Sequence, residues 1–552
     1  MTRDRSDRPT DISRAEILRR SALAAGGIAV ADLGLHAYAV EAMGLAHREA
    51  AGSGTLIVAV PEVPTNLDRE YTFEIQAFDV LQNTMEELVE WHQVRRPDGS
   101  YTLDFNAPME HRLAKSWEYS SDKRTLTIHL RPGVMSEYGH ELTAADFKWT
   151  YDRAFYLKST GTFFLNTMFL RHPKDWKVTG RYTVELTPDQ PNEMLIPIQP
   201  QPYMSLYDST EAKKHAPHDD PWATRWLAQH TAGFGPYKLV SRISGQELVM
   251  EARPGFYRGT PAIKTIIFRE VPTSANRLAL LSAGTVDVAL NLLPVELASV
   301  HNLPGIKVES WVGNSLDFIF MNLKDAPFNN GKVRQAMNYA LPRADILKAA
   351  YFGTATPIQS SMPSTWPYFN QQAFPYQDNL AKAKALLAAA GHGSGFAVNL
   401  PFKASIPEHE TLATLYQTNL AKIGVRVTLE KLPEATFTQK LLQRAFPFAL
   451  DRDEPNVPDP GYANFLYFDS KSFFNLSNYA NPRVDALLDS LIATFEPNKR
   501  RQLTYEIQHL IVDDAPWVFG FQPGFHLAMR SNVTGATWYT QNTNQFFNWR
   551  KS

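Results

Sequence analysis

The sequence predicts an α/β protein with more than one lobe. Three observations lead there. A chain of 552 residues is too long for one ordinary core and implies roughly three to four domain-sized units. Short strands alternate with longer helices along its length, and no repeat of about 20–50 residues interrupts that alternation.

The elements are legible in chain order. "GTLIVAV" (54–60) is a continuous apolar run, the pattern of a strand buried on both faces. "RTLTIHLRP" (124–132) alternates, with Leu126, Ile128 and Leu130 on one face and Thr125, Thr127 and His129 on the other. His129 is therefore a residue on the open face of a sheet. "TAADFKWTYDRAF" opens on Thr143 with Asp146 three residues on, an approximate capping box. The Pro- and Gly-rich passages 353–375 and 391–395 read as surface connections. "NLAKAKALLAAAG" runs from Asn379 to Gly391, a helix with a glycine stop. "VRVTLE" (425–430) alternates, and "AFPFAL" (445–450) reads as a buried strand. "NPRVDALLDSLIATF" has Asn481 as N-cap and Pro482 at the first helical position, where its missing N–H costs nothing.

Composition narrows the class. Apolar residues at 44% and charged residues at 20% exclude disordered and fibrous chains. A formal charge of −2 carries no basic excess for nucleic acid. Aromatics at 12% suit aromatic-lined clefts as well as ordinary cores. The chain has no cysteine, which excludes a disulfide framework, a thiolate metal site, a cysteine nucleophile and a lipid-bearing Cys, but leaves the compartment open. Residues 1–39 resemble a twin-arginine export signal: Arg19-Arg20, a weakly apolar segment from Ala22 to Ala31, then Ala37-Tyr38-Ala39 as a cleavage pattern. The other reading is an amphipathic N-terminal helix, for which Asp32 speaks. On the export reading the mature protein is soluble and extracytoplasmic, in the periplasm.

Catalytic motifs are scarce. There is no G-x-S-x-G, no G-x-x-x-x-G-K-[ST] and no H-E-x-x-H. "GHGSGF" (391–396) follows a helix, where a dinucleotide turn would follow a strand, so it reads as a helix-to-strand loop. "HAPHDDP" offers His215, His218, Asp219 and Asp220 as ligand types, yet nothing fixes their geometry and a solvated loop is favoured. No enzyme activity, cofactor or metal is expected. One stretch stands out: "DRDEPNVPDPGYANF" (451–465) packs Asp451, Asp453, Glu454 and Asp459 among three prolines. It reads as a rigid loop at a strand end.

Several blocks, in order, resemble the family-5 extracellular solute-binding proteins of ATP-driven importers, the dipeptide/oligopeptide/nickel type. They are "PTNLDRE" (64–70, with Arg69 where proline is usual), "LAKSWEYSSDKRTLTIHLRPGV" (113–134) with "LTAADFKWTYDRAF" (142–155), and "GFGPYKLV" (233–240) with "PGFYRGTPAIKTIIF" (254–268). "LLSAGTVDVAL" (280–290), "FIFMNLKDAPFNNGKVRQAMNYALPRADIL" (318–347) and "NLSNYANPRVDALLDS" (475–490) complete the set. The resemblance implies a two-lobed periplasmic-binding-protein-like fold (class II, large cluster with an extra subdomain) with the ligand cleft between lobes. Lobe 1 would span 50–271 plus 520–552, with an inserted subdomain at 86–188, and lobe 2 would span 272–519.

It further implies a monomeric receptor that captures a peptide or peptide-like solute and passes it to an ABC permease and its ATPase subunits. A non-peptide ligand (an oligosaccharide, opine or metal chelate) is the alternative, and a hydrolase a remote one. Peptide-binding members carry an Asp four residues before the Pro of an acidic-Pro pair, to meet the peptide's ammonium. Asp459-Pro460 matches the pair, but Asn456 stands in the Asp position unless a local shift puts Asp453 there. The expected ligand-binding residues are Tyr71, Thr72, Phe73, Asn314, Asp317, Asp453, Asn456 and Asp459, with Trp311, Trp366, Tyr462 and Phe465 as aromatics on which a sugar would stack.

Overall fold

The computed structural model describes residues 54–300 and 303–552. The expected export signal at 1–39 lies outside the described residues. Two large sheets organise the rest. The first has seven strands, in the order Tyr237–Ile243, Glu247–Ala252, Thr265–Glu270, Thr55–Val60, Val288–Ala289, Phe525–Arg530 and Ile306–Trp311. Its centre is Thr55–Val60, parallel to both neighbours and buried except at Ile57. Such a strand needs cover on both faces, which is why it is apolar throughout. The second sheet runs Ala355–Pro357, Trp517–Pro523, Leu316–Met321 and Phe448–Asp453, and every residue of Leu316–Met321 is buried.

The chain passes between the sheets twice, through residues 312–315 and through Gly524. Strand pairing therefore changes at these points, not at 271/272 or 519/520. Helices Ser274–Ser282 and Pro294–Val300 bury Leu281, Leu297 and Val300 against Ala59 and Ala528 of the first sheet, which holds the chain there as far as Trp311. Trp517–Pro523 is one unbroken strand of the second sheet. The two passages touch. A Cβ on Gly313 would stand 2.7 Å from the Pro523 carbonyl oxygen, and one on Gly524 would stand 2.9 Å from that of Trp311. Only glycine lets the backbones approach this closely.

Within the expected insert lies a separate antiparallel sheet of Ala114–Tyr119, Leu126–Leu130, Thr183–Leu186 and Trp176–Gly180. His129 is on its half-buried face, beside Leu126, Ile128 and Leu130, which are buried. Helix Ala144–Leu157 carries the Thr143/Asp146 capping box in full. Strand Ala397–Lys403, helix Pro407–Ala421 and strand Arg426–Leu432 form a parallel crossover unit, and "GHGSGF" enters it from helix Leu380–Ala389. The helix starts at Asn379 and Asn481 are both as expected, with side chains accepting from the first turn. Among the described residues no helix is long and apolar enough to cross a membrane.

Two readings need correction. Passage 353–375 is not a surface connection throughout: it supplies strand Ala355–Pro357, and Ser360 and Ser361 are fully buried. Their hydroxyls donate to Gln508 Oε1 and Asn464 Oδ1, so tertiary hydrogen bonds replace the water a surface loop would use. Likewise "DRDEPNVPDPGYANF" is not one loop. The strand continues to Asp453, helix Pro460–Phe468 begins at the last proline, and only 454–459 connects them.

The Gly313 contact makes a prediction. Gly313→Ala forces the passages apart and is expected to cost about 1–3 kcal/mol in urea unfolding, whereas Gly255→Ala, with no atom within 4 Å of its Cβ position, is expected to be close to neutral.

Candidate ligand-binding cleft

The site is built from the register of one strand pair. Leu316–Met321 and Phe448–Asp453 run antiparallel, with Asp317 opposite Arg452, Leu316 opposite Asp453 and Phe318 opposite Asp451. Opposed residues share a face, so Arg452 points one way and Asp451 and Asp453 the other. Asp317 is fully buried and accepts from Arg452 Nε at 2.6 Å, Arg452 Nη2 at 2.8 Å and the Tyr351 hydroxyl at 2.5 Å, with His409 Nε2 at 3.2 Å. Burial alone would raise the Asp317 carboxyl. Arg452 and then His409 outweigh it and hold the group well below the ordinary carboxylate range.

The opposite face is less balanced. Asp451 pairs with Lys403 Nζ at 3.0 Å, and the same ammonium lies 3.4 Å from Glu434. Asp453 accepts from its neighbour's backbone, Glu454 N, at 2.8 Å and forms no ion pair among the described residues. Burial, with Asp451 adding to it, pushes its carboxyl up to about 6. Nearby lies the buried Tyr467 hydroxyl, whose phenol is pushed well up by burial and by the Asp453 carboxylate beside it. A cavity of about 180 Å³ opens here, lined by Asp451, Asp453, Lys403, Arg444, Phe473 and Phe474 among others. Phe474, on the cavity wall, meets Phe163 of helix Thr160–Thr167 edge-on at 5.5 Å, so the cavity lies beside the contact between these two parts of the chain.

Loop 454–459 is slung across that seam. Glu454 Oε1 accepts from Ser315 Oγ at 2.6 Å and Asn542 Nδ2 at 2.7 Å. Asn314 Nδ2 donates to the carbonyls of Pro455 at 2.8 Å and Thr540 at 2.5 Å, while its buried Oδ1 has no partner. The Asn456 carbonyl accepts from Gln201 Nε2 at 2.9 Å. Its side-chain amide, oriented so that both ends are satisfied, donates to the carbonyls of Thr540 and Glu454 at 3.2 Å. Asp459 caps helix Pro460–Phe468, accepting from Gly461 N at 2.7 Å and Tyr462 N at 3.3 Å, and its other oxygen pairs with Arg500.

Two sheets, two passages between them and a loop held from both sides describe a scaffold with known relatives. The sequence profile of the bacterial extracellular solute-binding proteins, family 5 middle, matches residues 109–475. The chain belongs to this family. The probable D,D-dipeptide-binding periplasmic protein DdpA of Escherichia coli K12 is 26% identical over 486 residues, 87% of this chain and 90% of that protein. Among solved structures, the periplasmic binding protein DppA of Helicobacter pylori, in complex with peptide STSA, superposes with a TM-score of 0.77 at 22% identity, covering 92% of this chain and 99% of its own. AgaA of A. tumefacien R10, in complex with agropinic acid, gives 0.75 at 22%, covering 90% and 99%. The family has the two-lobed fold expected from the sequence, and it is a family of binding proteins.

In this family-5 protein the expected residues fall into three groups. Asn314, Asp453, Asn456 and Asp459 gather on or against one loop. Asp317 lies beneath it, sealed by Arg452. Tyr71, Thr72 and Phe73 form a turn on the first lobe: the Tyr71 and Thr72 amides both donate to the Asp68 carbonyl at 2.9 Å, Thr72 is buried, and Phe73 is 72% exposed. That turn is anchored by Asp68, which receives Arg153 Nη1 at 2.8 Å. Of the aromatics, Trp311, Trp366 and Tyr462 are buried in the core, and Phe465 packs against it. The "HAPHDDP" side chains are engaged separately: His215 stacks on Trp226 at 4.2 Å, Asp219 pairs with Arg225 at 2.9 Å, and Asp220 accepts from Thr224 N at 2.9 Å.

Sequence reading missed Lys403, Arg452, Gln201, Glu193 and Arg500. Only Arg452 left a signal, because Asp-Arg-Asp in a strand must place the arginine opposite its neighbours. Its pairing is testable. Arg452→Met strands a buried carboxylate and is expected to lower stability by about 3–5 kcal/mol in urea unfolding, with Asp317→Asn in the Met background recovering part of that loss.

Proposed function

We propose that this chain is the exported substrate-binding component of an ABC importer, and that it captures a peptide or peptide-like solute by closing its lobes and delivers it to the permease. Family membership supports the receptor role, and the relatives named for a D,D-dipeptide and a bound tetrapeptide support the ligand class. Residues 1–39 would direct export, placing the mature protein in the periplasm as a monomer. The lobes would divide at 312–315 and 524, with 86–188 as the inserted subdomain.

The observation that carries the ligand reading is Asp453, a carboxylate on the cavity wall that forms no ion pair among the described residues and that burial pushes up. A half-buried carboxylate in that condition gains most from an arriving ammonium, by charge-assisted hydrogen bonding. Asn456 is a weaker candidate because its amide serves the loop, and Asp459 is occupied by the helix cap and Arg500. Asn314 would position the loop. Tyr71 to Phe73 would meet the ligand from the first lobe. A second reading, a non-peptide ligand such as an opine, is favoured by the agropinic acid complex of a structural relative.

A thermal-shift panel of di- to pentapeptides, opines and oligosaccharides separates the readings. Peptides with a free amino terminus should raise Tm, and a panel in which opines or sugars alone do so replaces the ligand class. For a responding peptide, Asp453→Asn is expected to weaken binding by roughly tenfold or more in calorimetry at pH 7.5. The gap between wild type and variant should narrow as pH falls through about 6, since the protonated carboxyl no longer attracts the ammonium.

A further inference from the structure

The seam holds a second charged cluster, outside the Asp453 cavity. Among the described residues a single ion pair joins the lobes: Arg500 Nη2 lies 3.1 Å from Glu193 Oε2. Glu193 opens the short turn Glu193–Leu195 of the first lobe, and Arg500 sits on helix Pro497–Asp514 of the second. The guanidinium is already committed. Its Nη2 binds Asp459 Oδ2, and its Nη1 donates to the carbonyls of Leu491 and Thr494, both at 3.1 Å. Glu193 Oε2 is consequently buried in contact with Arg500 yet aligned with no hydrogen-bond donor.

Two carboxylates thus converge on one cation. The surrounding groups do not restore the balance. Tyr119 and Tyr368 both feel this cluster, and burial pushes both phenols up, so they stay neutral. Lys123 stands over the rings of Tyr119 and Phe495 at 5.6 Å, while Arg501 donates to Asn498 within its own helix. Tyr119 packs on Phe495 across the seam at 5.0 Å. Parting the lobes leaves Arg500 with Asp459 on lobe 2 and returns Glu193 to water.

We propose that closing the lobes takes up a proton at Glu193, so that falling pH favours the closed form. This rests on the reading that the lobes open and close over a ligand. The sign follows from the two environments. Burial, opposed by Arg500 and reinforced by Asp459, pushes the Glu193 carboxyl up to about 8 in the closed seam. In the open form it titrates as an ordinary glutamate, at about 4.3. Closure is therefore fully supported below the open-form value and loses that support as pH rises towards the closed-form value, with the closed-to-open ratio falling up to about tenfold per pH unit in between.

The chain has no cysteine, so a pair of spin labels can be placed without background, at Val178→Cys on lobe 1 and Lys384→Cys on lobe 2, both exposed. Inter-lobe distances are measured by pulsed electron resonance from pH 5.5 to 8.5, without added ligand, in the labelled parent and with Glu193→Gln or Glu193→Ala. The parent should shift to longer distances as pH rises, and both variants should give profiles flat with pH. A flat parent, or variants that keep the parent's slope, overturns the inference. A responding peptide added at pH 7 distinguishes the two levels: distances that shorten with peptide but ignore pH leave lobe closure standing and sink the proton uptake. Distances that ignore both sink lobe closure itself.

Discussion

The bidentate pair between Asp317 and Arg452 is the constraint on which the second sheet and the loop above it depend. A fully buried carboxylate is tolerable only with a guanidinium set against it and its remaining lone pairs filled, and Tyr351 and His409 complete that shell. Because the two residues sit directly opposite on adjacent strands, the pair also fixes the register. A slip by one residue would bury Asp451 and Asp453 where Arg452 now lies and turn the arginine towards Lys403. The distribution of charge at the cavity is thus set by an ion pair on the other side of the sheet.

Around this fixed strand the chain builds a loop that belongs to neither lobe alone. Asn314 and Ser315, in one passage between the sheets, bond Pro455 and Glu454, while Thr540, Asn542 and Gln201 reach the same loop from the first lobe. Movement at the passages must therefore be felt at 454–459, and the order of that loop depends on how the lobes sit. Gly313 and Gly524 hold the two passages in close contact, so the chain crosses between the sheets at one narrow place. On the proposed lobe closure, a few such element-terminal residues would absorb the change in backbone angle while the packed lobes move as units.

The electrostatics of the seam divide into two unequal accounts. Beneath the loop, Asp317 is fully compensated. At the Glu193 cluster two carboxylates share one cation, at the cavity wall Asp453 forms no ion pair among the described residues, and burial raises both groups. Where an interior carboxylate is left short of a counter-charge, either a ligand or a proton supplies it, and the two sites differ in which one the surroundings favour. Asp453 faces a cavity with room for a ligand group, whereas Glu193 faces a guanidinium already taken by Asp459.

The sequence by itself determined the local elements and much of the family. Thr143 with Asp146, Asn379 and Asn481 are helix starts whose chemistry is complete within a few residues, and the short, β-branched apolar run "GTLIVAV" suits a strand buried on both faces. It also marked 451–465 as the place to look. What it could not decide was which of those acids is free. Asp459 reads as a ligand group until Arg500, from 41 residues on, claims it, and Asp317 reads as accessible until Arg452 covers it. The changes of sheet at 312–315 and 524 were equally hidden, since strand pairing between residues as far apart as Thr55 and Thr265 leaves no local trace. Charge compensation and sheet membership are pairwise properties of distant residues, and only the folded chain brings the pairs together.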